Sequence, residues 1–382
     1  MDTYRYQEDP HYFAQVPAGV EELAAAEMTA LGAVDVAPEV RGVSFRADAR
    51  TVYQLVYTTQ LLQRVIAPLL RFKCHNPDYL YRKVHEVDWR EFLRPGQTFA
   101  VFANVSHSKL KDSRFAGLRT KDAVCDRLRA DTGKRPDIDT QQPDLWLSVH
   151  ANHDWVTVGI DLAGGSLHKR GYRQQTVDAP MQETVAAAML AMADWHGERP
   201  LHDPMCGSGT ILAEAWLRAT GTPAGTLRRH FGFMQLPDFD IVAWKQVKKG
   251  LDSRRKLGKP GLVSGGDVDP TAVAAARTNL AQLPGGEHIE VTRRDFRALE
   301  GLSDTVIVTN PPYGLRLQRG QDLAGFYKEL GDWLKFRCPG CEAYIYFGDR
   351  RWLKSIGLRP AFKRSLRNGG LDGCVARYDL YA

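Results

Sequence analysis

Long apolar runs and closely spaced cysteines are both scarce in this sequence. No stretch approaches the roughly 18 apolar residues that a membrane-spanning helix needs, and residues 1–6 lack the apolar core of a secretory signal. The six cysteines are scattered over 382 residues, which is not the spacing of a disulfide framework. We therefore expect a cytoplasmic protein without membrane attachment.

A complete set of metal ligands is missing as well. Cys338 and Cys341 form a CxxC pair, but no second pair of Cys or His lies nearby to complete four ligands. We therefore predict no metal site. The hydrophobic content of 43% is enough to build packed cores in the two or three domains that this chain length allows.

Positive charge is in moderate excess and is unevenly distributed. The formal net charge is +6 and the isoelectric point is near 8.9, which favours a polyanionic partner. Residues 109–135 carry nine basic residues against four aspartates, and residues 350–367 carry seven basic residues and no acid. Because Lys and Arg neutralise phosphates, both tracts are candidate RNA-binding surfaces.

The tetrapeptide Asn310-Pro311-Pro312-Tyr313 follows the apolar run 305–308, as a stiff loop after a buried strand would. An amine on a base is a poor nucleophile because its lone pair is delocalised into the ring. The side-chain oxygen of Asn310 and the carbonyl of Pro311 can each accept one N–H and direct the lone pair toward an electrophilic methyl group. The prolines fix their φ angles, and Tyr313 can stack on the base. We predict these four residues to be catalytic.

A Gly-rich turn at residues 203–210, DPMCGSGT, joins a short strand to a helix. Such a turn lets backbone N–H groups and the helix N-terminus face a ligand without an intervening Cβ. A dinucleotide fingerprint is incomplete here because its third glycine would fall at Leu212, and no Gly-Lys-Ser/Thr follows to make a P-loop. The candidate ligand-binding residues are Asp203, Gly207, Ser208, Gly209 and Thr210.

Two further strand ends carry acidic residues. Asp267 and Val268 follow one apolar strand, and Asp295 and Phe296 follow the next. A carboxylate at the C-terminal end of a strand is placed to accept bonds from ribose hydroxyls, and Val268 and Phe296 can cover a flat ring. Because ligands of open α/β sheets lie outside the carboxyl ends of the strands, we predict that these residues share one site with the turn and the NPPY loop.

These motifs, with SLHKRGYR (166–173) and APMQET (179–184), resemble those of RNA guanine-N2 methyltransferases that carry a THUMP domain. The resemblance spans nearly the whole chain and is closest to the N-terminal half of the bacterial enzymes that methylate a guanine of 23S ribosomal RNA. It implies an α/β protein with a class I (Rossmann-like) methyltransferase domain behind a ferredoxin-like and THUMP region. It also implies S-adenosylmethionine (AdoMet) as cofactor and RNA as partner. The second methyltransferase module of some such enzymes, and its activity, are not expected here.

The same resemblance implies roles for single residues. Asp203 and the glycines of the turn would bind the methionine moiety, Asp267 the ribose, Asp295 the adenine amine, and residues 310–313 the target base. Glu183 is a possible partner of the AdoMet amino group. The predicted RNA contacts are Arg114, Arg119, Lys121 and Arg170.

Domain boundaries are predicted from periodicity and from the resemblance together. We expect a ferredoxin-like region at 1–45, a THUMP domain at 46–163 and the methyltransferase domain at 164–382. Gly164-Gly165 is the predicted hinge. Residues 220–260 are basic and aromatic, and we interpret them as an insertion that contacts RNA or packs against the sheet.

Several functions remain compatible with the sequence. A tRNA guanine methyltransferase is the nearest alternative, since THUMP domains also dock tRNA. A DNA adenine or a protein glutamine methyltransferase could use the same NPPY loop. A non-catalytic RNA-binding protein with a methyltransferase fold would predict weak AdoMet binding, against which the complete set Asp203, Gly207, Asp267 and Asn310 argues.

Overall fold

Helices and strands alternate along the chain in a computed structural model that describes residues 3–110, 112–177, 180–312 and 322–381. The helices are α1 (Arg5–Glu8), α2 (Glu21–Ala30), α3 (Ala49–Thr58), α4 (Pro77–His85), α5 (Ser113–Thr132), α6 (Glu183–Met192), α7 (Thr210–Thr220), α8 (Ile241–Asp252), α9 (Pro270–Leu280) and α10 (Leu323–Arg337). Within the described ranges, none of the helices is long and apolar enough to cross a membrane.

The strands form two separate sheets. Those of the N-terminal half are β1 (His11–Gln15), β2 (Val34–Glu39), β3 (Gly42–Arg46), β4 (Arg64–Lys73), β5 (Thr98–Ser106), β6 (Asp137–Ile138), β7 (Leu145–Asn152) and β8 (Trp155–Asp161). Those of the C-terminal half are β9 (Leu201–Asp203), β10 (Val263–Asp267), β11 (Glu290–Arg293), β12 (Val306–Thr309), β13 (Glu342–Phe347), β14 (Phe362–Asn368) and β15 (Leu371–Asp379).

The first sheet is continuous across the whole N-terminal half. Its order is β2-β3-β1-β4-β8-β7-β5-β6, and β4 pairs with both β1 and β8. Ala14, Val65 and Val158 are buried on the side that packs against helices, while the alternating residues face outward. The predicted hairpin over residues 145–160 is present as β7 and β8. The ferredoxin-like and THUMP strands thus share one sheet, which periodicity alone did not predict.

The second sheet has the order β11-β10-β9-β12-β13-β15-β14. The five strands from β11 to β13 are parallel, and the last two add antiparallel pairs at one edge. Strand β12 consists of four buried residues because helices cover both faces of a parallel sheet. The chain moves from β9 outward to β10 and β11, then returns to β12 on the other side of β9. That reversal creates the crevice in which doubly wound folds bind ligands.

The aromatic residues of the 220–260 segment pack against the N-terminal half. Phe231, Phe233 and Trp244 surround Tyr53 and Tyr57 of α3, with ring centroids between 4.7 and 6.2 Å apart. The hydroxyl of Tyr57 also donates to Asp252 over 2.8 Å. These aromatics therefore pack inside the molecule, but against α3, where the packing alternative named the sheet. A contact between the insertion and RNA stays a prediction.

The linker at Gly164-Gly165 is fastened at several points. The guanidinium of Arg228 donates to five carbonyl oxygens of residues 163–169, the shortest over 2.9 Å. The buried carboxylate of Asp161 accepts the N–H groups of Ala163 and Gly165. A Cβ at Gly232 would collide with the carbonyl of Asp161, so the insertion meets the linker at backbone distance. The predicted hinge is thus bonded to Arg228 and Asp161 in this structure, and its role as a hinge stays a prediction.

Candidate active site

The candidate site lies where the strand order of the second sheet reverses. A cavity of about 780 Å³ opens beyond the carboxyl ends of β9 to β12, and its volume is that of a typical small-ligand site. The predicted residues that line it are Gly207, Asp267, Val268, Asp295, Phe296, Asn310 and Pro312. The predicted residues buried behind this lining are Asp203, Ser208, Gly209, Thr210, Glu183 and Pro311. The structure thus gathers both motifs around one cavity.

The Gly-rich turn holds its shape through two glycines in the left-handed region. Gly207 has a φ of 54° and Gly209 a φ of 83°, and a Cβ on Gly209 would lie only 3.2 Å from the Cβ of Ala276. The N–H of Gly207 donates to Asp267 over 2.9 Å. The turn is therefore tied to the end of β10, and α7 begins directly behind it.

Asp203 is buried at the end of β9 and accepts the N–H of Met205 over 3.1 Å. Burial raises the pKa of Asp203 to about 7, against the opposing effect of its hydrogen bonds. A cationic group bound nearby would favour the ionised carboxylate. Asp203 therefore braces the turn from behind the cavity wall.

Arg173 connects the turn to α6, a role that the sequence did not reveal. Its guanidinium donates to Ser208 over 3.0 Å, to Thr210 over 2.9 Å and to Glu183 over 3.0 Å. Glu183 is thereby paired at the start of α6, where a carboxylate also favours the helix dipole. Any bond from Glu183 to a ligand amine would use an oxygen not already engaged by Arg173.

Asn279 of α9 fastens the segment that precedes the cavity. Its side-chain oxygen accepts the N–H groups of Gln174 and Gln175, and its amide donates to the carbonyls of Gln175 and Ser208, all within 2.7–3.0 Å. Val177 at the end of this segment lines the cavity. An asparagine inside an Ala-rich helix offered no sequence signal for this role.

The acidic strand ends face the cavity but are already engaged in local bonds. Asp267 accepts the N–H of Asp269 over 3.0 Å in addition to that of Gly207. Asp295 accepts the N–H of Arg297 and forms an ion pair of 3.0 Å with its guanidinium. Their predicted bonds to ribose and adenine therefore require free lone pairs or a rearrangement of Arg297.

Apolar surface accompanies these carboxylates. Val268 is 62% exposed, which is unusual for valine at a strand end, and it lies on the cavity wall. Phe296 is buried and packs edge-on against Phe326 and Trp333 at 5.8 Å, so it forms a firm floor. The two residues provide the apolar surface that a flat ring requires.

The loop after β12 presents an unpaired acceptor. Asn310 is only 8% exposed, and its side-chain oxygen has no hydrogen-bond partner among the described residues. A buried polar atom without a partner is costly, so this oxygen at the cavity wall is available to a donor from outside the described residues. Tyr313, the fourth predicted catalytic residue, lies outside the described residues.

Comparisons with known proteins agree with this site. Residues 170–377 match the model of the RMKL-like methyltransferase domain, residues 74–161 match the THUMP domain, and residues 11–66 match the RlmL ferredoxin-like domain. The chain belongs to the RMKL-like methyltransferase family. The predicted fold class and the suspected family are thereby confirmed.

Several relatives of this methyltransferase family resemble the chain along its length. The Synechocystis protein slr0064, provisionally named as an RNA methyltransferase, is 36% identical over 97% of both chains. The large subunit ribosomal RNA methyltransferase K/L of Syntrophotalea carbinolica is 38% identical over 97% of this chain. The match covers 53% of that protein, so the chain spans about half the length of its K/L relatives. The structure of SMU.472 complexed with SAH has a TM-score of 0.81, with 26% identity over 97% of this chain and 98% of that one.

Arg170 requires a correction within this methyltransferase. We predicted that it contacts RNA, but it is 2% exposed and lies among the ends of α3, the linker and α7. Its guanidinium donates to the carbonyls of Thr59, Leu167 and Gln60 and pairs with Glu214 at 3.3 Å. Because these buried partners occupy its donors, Arg170 joins the two halves of the molecule and does not reach RNA.

The other predicted RNA contacts lie on α5. Arg114 is exposed near the start of the helix, while Arg119 and Lys121 are half-buried. Arg119 bonds to Asp78 over 2.6 Å, and Lys121 pairs with Asp122 at 2.8 Å. Their contacts with RNA stay a prediction, and two of the three cations are already paired with carboxylates.

Proposed function

We propose that this protein is an AdoMet-dependent methyltransferase that modifies the exocyclic N2 amine of a guanine in 23S ribosomal RNA. The observation that carries the proposal is the buried, unpaired oxygen of Asn310 at the wall of the cavity. An acceptor in this position suits an amine with N–H groups to donate, and the neighbouring prolines hold the loop stiff. The K/L relatives, which are named for methylation of large subunit ribosomal RNA, support the choice of substrate.

The residues around the cavity fit AdoMet. The turn at Gly207 would accommodate the methionine end with Asp203 and Glu183 near its ammonium, Asp267 would accept from the ribose, and Val268 would cover the adenine. The exposed Val268 and the left-handed backbone of Gly207, both at the cavity wall, support this fit. When bound, AdoMet supplies a methyl group already activated on a sulfonium.

The chain's own groups orient the amine for direct attack. Asn310 and the carbonyl of Pro311 would each accept one N–H, which turns the nitrogen lone pair toward the methyl group. Tyr313 is proposed to stack on the guanine and hold it out of its RNA helix. The amine loses its proton after transfer, so no strong base is required beforehand.

Methyl transfer to defined substrates tests this proposal. Purified protein is incubated with labelled AdoMet and unmodified 23S rRNA, bulk tRNA, DNA or protein extract, and nucleosides are identified by mass analysis. We expect N2-methylguanosine in rRNA. Label confined to tRNA would support the tRNA alternative in place of 23S rRNA. The absence of label from every substrate would contradict the proposed methyltransferase activity.

The most specific test of this proposal is a variant that lacks the Asn310 acceptor. Asn310→Ala should reduce the rate of transfer about 100-fold, the usual effect of losing one positioned hydrogen-bonding group in an active site. AdoMet affinity by calorimetry and thermal stability should stay near wild type, because the proposed cofactor residues lie on other strands. A variant that keeps its rate, or that loses AdoMet binding equally, would remove Asn310 from the proposed role.

A further inference from the structure

A second and larger cavity lies on the open face of the N-terminal sheet, far in sequence from the methyltransferase motifs. Its volume is about 1060 Å³, near the upper end of the range for small-molecule sites, and it extends across five strands. Strands β1, β4, β8, β7 and β5 form its floor, and the β2–β3 turn forms one wall. We call this surface the trough; its defining residues are Arg5, Arg41, Arg71, His150, Trp155 and Thr157.

The floor of the trough follows from strand alternation. Val156 and Val158 of β8 are buried in the core, so Trp155 and Thr157 between them point to the opposite face. Thr157 pairs with Arg71 on β4 and with His150 on β7, which places residues from three strands side by side. Arg71, His150 and Trp155 are exposed along this row, and Thr157 is partly exposed.

The charge of the trough is positive. Its lining contains the guanidinium groups of Arg5, Arg41 and Arg71 and a single acidic residue, Glu39. Four histidines also line the trough: His11, His107, His150 and His153. On α5, by contrast, Arg119 and Lys121 are neutralised by Asp78 and Asp122. The trough therefore has more unpaired positive charge to offer a polyanion than the helix that sequence composition favoured.

Trp155 adds a stacking platform to that charge. The indole is 42% exposed, and two cations lie over its ring: the guanidinium carbon of Arg71 at 5.1 Å and the ammonium of Lys73 at 5.7 Å. An exposed aromatic ring flanked by cations is the combination that binds unpaired nucleotides, since the ring stacks on a base while the cations neutralise phosphates.

We propose that the trough binds an unpaired segment of the substrate RNA, with Trp155 stacked on a base and Arg71 and Arg41 on phosphates. This inference rests on the proposed function, because it takes RNA to be the substrate. The trough would hold the RNA at a fixed distance from the methyltransferase cavity, since the linker and the insertion fasten the two halves together.

Binding of a fluorescein-labelled single-stranded RNA of about 12 nucleotides to the full chain tests the trough, because sites of this kind cover roughly 4–16 nucleotides. Fluorescence anisotropy should show about tenfold weaker binding for Trp155→Ala. Arg71→Ala should weaken binding and lower the slope of log affinity against log salt by about 1. The matched control is Arg94→Ala, which removes the same charge from an exposed site outside the trough and outside the two basic tracts, and it should bind RNA like the wild type. Arg114→Ala measures the contribution of the exposed start of α5.

The outcomes separate this inference from the proposed function. Two results would overturn the proposed RNA binding by the trough, even if methyl transfer to rRNA is intact. One is wild-type RNA affinity in both trough variants, and the other is a greater loss of RNA affinity in Arg114→Ala than in these variants. Trough-dependent RNA binding without any methyl transfer would support the trough and overturn the proposed function. Photo-crosslinks from 4-thiouridine RNA should map to residues 146–158, and crosslinks confined to 113–132 would also overturn the inference. Thermal unfolding of each variant shows whether it is folded.

Discussion

At the scale of single residues, Asp203 shows how a buried carboxylate at a candidate binding site can lower the stability of the folded chain. Its carboxylate is buried at the end of β9, where burial raises the pKa to about 7 from an ordinary value near 3.8. Between these two values the folded chain holds a proton that the unfolded chain releases. The free energy of unfolding should therefore fall as pH rises from about 4 to 7, by on the order of 1 kcal/mol per pH unit. Above pH 7 this contribution is fully lost.

Asp203→Asn should remove that pH dependence. In urea unfolding, the free energy of unfolding of the variant should rise relative to that of the wild type by about 2 kcal/mol between pH 5 and pH 8. Asp332→Asn, at an exposed carboxylate on α10, is the matched control and should follow the wild type at both pH values. A constant difference between Asp203→Asn and the wild type across this range would show that the carboxyl is not protonated in the folded state.

Residue types were easier to predict than residue environments. Asn310, Gly207 and Asp267 were found because their motifs are local and they line one cavity. Arg170 was assigned to RNA because basic residues are usually exposed, yet Glu214 pairs with it across 44 positions of sequence. The partner of a charge depends on which helices meet, and no short motif encodes that.

At the scale of elements, single side chains on helices hold irregular segments over the cavity. Asn279 uses its full hydrogen-bonding capacity to join α9 to residues 174–175 and to the Gly-rich turn. Arg173 joins the Gly-rich turn to α6 through three hydrogen bonds of its guanidinium. Their contacts are to backbone or to distant side chains, so only the folded chain identifies them.

Asn279→Leu should release the segment that ends at Val177. The change leaves two N–H groups and two carbonyls without partners, at a cost of about 2–4 kcal/mol in the free energy of unfolding. Amide hydrogen exchange should rise at residues 174–177, and AdoMet affinity should fall. The control is Gln282→Ala, at an exposed residue that follows the same helix. It should change neither the hydrogen exchange at residues 174–177 nor the AdoMet affinity. Unchanged exchange at 174–177 would mean that other contacts hold the segment.

For the whole molecule, the structure shows contacts between units that the sequence predicted as separate. Periodicity and the resemblance indicated separate domains and a glycine hinge, whereas β4 joins the ferredoxin-like and THUMP strands into one sheet, and α3 packs into the aromatic insertion. A Cβ on Gly164 would lie 2.7 Å from the backbone nitrogen of Gly232, so this glycine permits close approach of the two backbones. A glycine in a linker can serve either close approach or movement, and the bonds from Arg228 make the second role testable.

Arg228 therefore offers a test of whether rigidity serves the function. Its guanidinium bonds to five linker carbonyls, and burial lowers its pKa to about 10 without removing the positive charge at neutral pH. Arg228→Met should leave those carbonyls unpaired and increase hydrogen exchange at residues 163–169. It should also broaden the distribution of interatomic distances obtained from small-angle scattering. Arg229→Met, at the exposed neighbour, should do neither.

The same variant connects rigidity to RNA. If the trough positions RNA at a fixed distance from Asn310, then Arg228→Met should slow methyl transfer to long RNA about tenfold while AdoMet affinity stays near wild type, because mispositioning a substrate lowers the population of reactive complexes. Affinity for a short RNA that occupies only the trough should also be preserved. A variant with a loosened linker and an unchanged transfer rate would show that the methyltransferase domain finds its guanine independently of the N-terminal sheet.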